Sequence, residues 1–160
     1  MRHFVKALAL TVLVAFSTTG AGAAPSNPLL QSTMKTLAKD VDETVAPTRF
    51  SDPSDVPDAV ILNAVTRART AAYALTLVKD RRAGEMEPAN VRGLPPSQRD
   101  AKLTEFAGHL TRAVDKLTQC EQTLLAEAAK PSEQRSFRTL KTRLVELDQI
   151  MKDAHRIFKP

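Results

Sequence analysis

Cysteine is nearly missing from this sequence: Cys120 is the only one in 160 residues. A disulfide framework and a zinc or iron–sulfur site built on thiolates are thereby excluded. Tryptophan is absent, tyrosine occurs once, and there are only five glycines, with aromatics at 4%. Such a composition gives no support to a β-sandwich and favours helices. No G-x-G-x-x-G, G-x-x-x-x-G-K-[ST] or H-E-x-x-H pattern occurs, so the common nucleotide-binding and metalloprotease fingerprints are missing too. What is present is ordinary for a globular chain: 42% hydrophobic and 26% charged residues, at a length that suits one domain.

Residues 1–23 read as a secretory signal. Arg2 and Lys6 form a positive start, Ala7 to Phe16 an apolar run, and Ala21-Gly22-Ala23 a small-x-small cleavage pattern. Cleavage after Ala24 would leave Pro25 at the new terminus, so the bond after Ala23 is favoured. The apolar run is about half of what a membrane-spanning helix needs. No cysteine follows it to take a lipid. The expected product is an exported, periplasmic chain of one domain, residues 24–160, with no membrane insertion once the signal is removed. It keeps 21 basic and 18 acidic residues, a net charge of +3. That balance is too mild to imply nucleic acid.

From Pro28 onward the chain divides into four periodic stretches separated by proline-rich breaks. Asn27-Pro28 is a helix start, a capping side chain followed by proline in the first turn. Leu30, Met34, Leu37, Val41 and Val45 then form one apolar stripe. Pro47, Pro53 and Pro57 mark the first break. The second stretch, about residues 57–83, is lined by Ile61, Ala64, Ala68, Ala72, Leu75 and Val78. A break from Gly84 to Pro96 follows, and Ser97-x-x-Asp100 resembles a capping box for the third stretch. There Leu103, Phe106, Leu110, Ala113, Leu117, Cys120 and Leu124 alternate at steps of three and four, a heptad-like seam. After Pro131-Ser132 the fourth stretch repeats the pattern with Phe137, Leu140, Leu144, Leu147, Met151, Ala154 and Phe158. No segment alternates with the period of a strand. The expected fold is all-α, an antiparallel up-down-up-down four-helix bundle.

Two residues stand out once that topology is assumed. The start of the first helix and the end of the last meet at one end of such a bundle. Met34 lies on the first stripe, and His155 follows the small seam residue Ala154. A thioether and an imidazole facing each other there can ligate haem iron axially. Taken singly, Met34 also reads as core filler and His155 as a partner of the helix dipole. Phe106 and Leu110 come to the same end as candidate walls for a porphyrin, although ordinary core residues look the same. Arg81, Arg82, Arg156 and Lys159 give that end a basic rim for propionates, or simply solvated helix ends. Covalent attachment is excluded, because a Cys-x-x-Cys-His site is missing: the five residues ending at His155 are Met151-Lys152-Asp153-Ala154-His155. Nothing resembles the Ser-His-Asp arrangements or the Glu-x-x-His pairs of di-iron bundles, so an enzyme is not expected.

The residues Leu29-Leu30-Gln31-Ser32-Thr33-Met34-Lys35-Thr36-Leu37 and the ending Ala154-His155-Arg156-Ile157-Phe158-Lys159 carry a family resemblance. Together with the order of segments from about Leu29 to Lys159, the chain resembles the cytochrome b562 family of exported four-helix haem proteins. The resemblance implies iron ligation by Met34 and His155. Glu105-Phe106-Ala107-Gly108-His109-Leu110 is similar to the family's third-helix start, which implies that Phe106 and Leu110 pack on the haem. Leu110 departs from the family by standing where an aromatic is familiar. Met151 stands where a more polar residue is expected, and the first break is longer. The implied protein is a monomeric b-type cytochrome with one non-covalent haem b, exchanging single electrons with redox protein partners that the sequence does not identify. A reading of another class is a haem-free helical periplasmic adaptor or chaperone-like binding protein.

Overall fold

The computed structural model describes residues 27–158. The expected signal segment and Lys159 lie outside the described residues. The described chain is all-helical: five α-helices and three short 3-10 turns, and no strand. The α-helices are α1 (Pro28–Val45), α2 (Asp58–Asp80), α3 (Ala89–Arg92), α4 (Pro96–Ala128) and α5 (Arg138–Ile157).

Each long helix begins and ends where local chemistry dictates. The Asn27 side-chain carbonyl accepts from the Leu30 N–H at 3.1 Å, capping α1 at the proline start the sequence predicts. Pro57 precedes α2, whose Arg81 C-cap comes two residues before the predicted end at Ala83. The expected capping box at Ser97 does not form. Pro95 is the N-cap and Pro96 the first helical residue of α4, so Ser97 already lies inside the helix. A proline at the first turn has its φ preset and no N–H to satisfy, which moves the start upstream of the serine. The predicted break between α2 and α4 contains the one-turn helix α3 and buries Met86, Glu87, Ala89 and Val91.

Packing follows the apolar stripes. All seven seam residues of α4, from Leu103 to Leu124, are buried. So are Ile61, Ala64, Ala68, Leu75 and Val78 of α2, and Leu140, Leu144, Leu147 and Ala154 of α5. Met34, Val41 and Met151 are partly buried against the same core. The most intimate pair is α2 with α4; α1 packs on α2 and α5 on α4. The small residues Ala64, Ala68 and Ala71, fully buried, account for the close approach of α2. By contrast, α1 and α5 are not among the closely packed pairs.

Polar bonds fix the register between helices. Arg67 of α2 donates to Asp40 of α1 at 3.0 Å, and Asn63 donates to Glu43 at 3.3 Å. Arg69 of α2 meets Glu121 of α4 at 2.6 Å. Lys116 of α4 meets Glu146 of α5 at 2.5 Å, and Arg143 of α5 donates to the Gln119 carbonyl and the Thr123 hydroxyl of α4. Between α1 and α2 and between α4 and α5, residue numbers rise on one side as they fall on the other.

Candidate functional site

Met34 and His155 are positioned by the outer two long helices. At 3.6 residues per turn, Met34 lies about 120° around α1 from Asp40 and about 180° from Glu43. Those two residues hold α2, so Met34 sits on the flank turned away from it. His155 repeats the geometry on α5: about 120° from Arg143 and about 180° from Glu146, the residues that hold α4. Both side chains are half-buried. Each therefore lies on the flank of its helix away from the residues that grip its neighbour, and Met34 packs partly against the core.

The level of these residues follows from Glu87. Its backbone carbonyl accepts from the Asn27 side chain at 3.0 Å, and its carboxylate accepts from Arg99 at 2.5 and 3.0 Å. Seven residues of helix, about 10 Å, lead along α1 from Asn27 to Met34. The same seven lead along α4 from Arg99 to Phe106. At that level the Phe106 ring meets Phe158, just past the end of α5, with centroids 4.9 Å apart and planes tilted by 48°. His155 lies three residues before Phe158, and Leu110 one turn beyond Phe106. Met34, Phe106 and His155 are thus brought toward one end of the molecule, with Leu110 a turn nearer the middle of α4. Phe106 and Leu110 are buried, as is the small Ala154 beside His155.

Two members of this cluster were not singled out by sequence reasoning. Phe158 was read as one more seam residue, yet its ring covers Phe106 and has Lys102 Nζ 6.0 Å from its centroid. His109, one residue before the seam residue Leu110, is buried and meets the Phe158 ring edge-on at 6.0 Å. Its position three residues after Phe106 was the available signal. Burial, followed by the nearby Arg112 guanidinium, lowers the His109 pKa below its usual value. Arg112 Nη2 lies 2.9 Å from His109 Nδ1. A guanidinium can only donate, so Nδ1 accepts and the proton of the neutral ring belongs on Nε2.

The predicted basic rim is largely engaged with the protein itself. Arg81 pairs with Glu85 and Arg156 with Asp153. Arg82 donates through Nη1 to the Lys79 carbonyl, while its buried Nε has no hydrogen-bond partner. Among the described residues, no group of three or more His, Cys, Asp and Glu side chains is gathered as a metal site. One thioether with one imidazole is a different donor set, suited to an iron already held by four porphyrin nitrogens.

Comparison with known proteins finds no matching family model, no matching curated protein and no matching solved structure.

Proposed function

We propose that the chain is a b-type cytochrome of the periplasm, an antiparallel up-down-up-down four-helix bundle that holds one non-covalent haem between Met34 and His155. The carrying observation is that both residues, half-buried and at one end of the molecule, lie on the flanks of α1 and α5 turned away from α2 and α4. Further support comes from the small, buried Ala154 next to His155, from the buried walls Phe106 and Leu110, and from the unpartnered Arg82 Nε–H, a donor suited to a propionate. The antiparallel register of the cross-helix bonds and the shared core favour the bundle.

A bound haem supplies one-electron exchange between Fe(III) and Fe(II). The chain's own residues do the rest. The His155 imidazole and the Met34 thioether would hold the iron and leave no place for a substrate, so the reading is a carrier and not an enzyme. Thioether ligation favours the ferrous state and raises the potential relative to two imidazoles. Phe106, Leu110 and Phe158 exclude water. Electrons pass to and from protein partners, and a monomer suffices. Among the described residues no helix is long and apolar enough to cross a membrane.

A second reading, a haem-free helical adaptor, is favoured by one feature. Leu62 and Tyr73 are 53% and 65% exposed, and eleven residues apart they share the outer face of α2. Titration with haemin separates the two. The cytochrome gives stoichiometric uptake with sharp reduced bands, and acid–acetone then strips the haem completely from the polypeptide. A chain that refuses haemin is the adaptor; haem that stays on the denatured chain contradicts non-covalent binding.

A further inference from the structure

The two helices that carry Met34 and His155 do not pack closely on each other, yet a separate part of the chain joins their ends. The Asn27 amide, buried at the head of α1, donates to the carbonyls of Glu85 at 2.8 Å and Glu87 at 3.0 Å. Its carbonyl meanwhile caps α1. Three residues after Glu87, the Asn90 amide donates to the carbonyl of Ile157 in the last turn of α5, at 2.8 Å. Between these grips the segment is anchored from beneath by buried Met86, Ala89 and Val91 and from the side by the Glu87–Arg99 ion pair with α4. These bonds link residues 58 to 67 positions apart in the chain.

We propose that residues 84–92 form a strap that sets the separation of α1 and α5 where the axial ligands stand, with Asn27 and Asn90 as its positioning residues. It rests on the haem reading above, and adds a role for residues that touch neither iron nor porphyrin. The physical logic is preorganisation: ligands on two helices that do not pack closely on each other need a third element to hold their spacing before the cofactor enters. Each grip is one side-chain amide on a main-chain carbonyl: Asn27 reaches the strap from α1, and Asn90 reaches α5 from the strap.

The test compares the full wild-type chain with Asn90→Ala and with Asn27→Ser plus Asn90→Ala. Serine still caps α1 but has no amide to reach Glu85 and Glu87. Val56→Ala serves as a destabilising control, since Val56 is buried before α2, remote from the strap. In haem-free protein, amide exchange in the first turn of α1 and the last turn of α5 should accelerate in the double variant while helix content is kept. With haemin, the double variant should bind about tenfold more weakly, the scale for loss of groups that orient metal ligands. Part of its iron should turn high-spin as Met34 is released. Asn90→Ala, altered at an exposed amide, should show the same changes in smaller degree. Val56→Ala should remain low-spin. Unchanged exchange, or an unchanged low-spin fraction and affinity, overturns the strap while leaving the haem reading in place. An equal loss of low-spin haem in Val56→Ala overturns it as well, by reducing the effect to general instability. A wild-type chain that binds no haemin overturns the haem reading, and with it the positioning role.

Discussion

At Cys120 the residue's surroundings decide its chemistry. The thiol is fully buried on the α4 seam, and burial pushes its pKa up to about 11, against a smaller opposing pull from Arg143 and Lys116. A thiolate, the nucleophilic form, is scarce there at neutral pH. Native protein should therefore react with a bulky disulfide reagent far more slowly than unfolded protein, by about a hundredfold or more if opening is the limiting step. Rapid labelling of the native chain, followed by absorbance, would show that the seam is open. His109 obeys the same physics with the opposite charge type: burial favours its neutral ring, and the Arg112 donor fixes the tautomer. The same environment that lowers its basicity also commits Nδ1 to a hydrogen bond. His155, half-buried near the end of α5, is the histidine proposed to hold the iron.

At the scale of elements, the Glu87–Arg99 pair ties the segment after α2 to the start of α4. The Arg99 hydrogen bonds hold the Glu87 carboxyl below its ordinary value of 4.5, outweighing the opposing effect of burial. A carboxyl lowered in the folded state contributes stability above its unfolded pKa and loses it as pH falls through the folded value. Melting temperature should accordingly drop below about pH 4.5. Glu87→Gln should lose about 2 kcal/mol at pH 7, the scale of a hydrogen bond to a charged group, and show a shallower acid limb. Thermal melts from pH 3 to 7 check both; a parallel acid limb in the variant would assign the acid sensitivity elsewhere. The helices themselves were legible because burial repeats with their period. Every α4 seam residue named from spacing is buried, and α1 starts where Asn27-Pro28 says it should. The strap was not legible. Its cohesion comes from side-chain amides reaching main-chain carbonyls distant in sequence, which leaves no periodic trace. The Phe106–Phe158 contact was hidden for a related reason: two stripes show that both rings face inward, but the stagger of α4 against α5 decides that they meet. Ser97 misled because its spacing to Asp100 imitates a cap that Pro96 makes unnecessary.

At the scale of the whole molecule, one arrangement joins these parts. The tight pair α2–α4 forms a spine, and α1 and α5 are attached to its two members; in the proposed reading each of the two carries one iron ligand. A planar group inserted there would complete the core as much as bind to it, so loading should raise the melting temperature by mass action. The most direct measurement of this account is the optical spectrum of haem-loaded Met34→Ala beside that of the wild type, with His155→Ala and His109→Ala as companions. The wild type should be low-spin in both oxidation states. Met34→Ala should keep most of its haem on the imidazole but turn high-spin or water-ligated, with a lower potential. His155→Ala should lose most of its haem, and His109→Ala should remain low-spin. A wild-type ferrous spectrum retained by Met34→Ala, or abolished by His109→Ala, would contradict ligation by Met34 and His155.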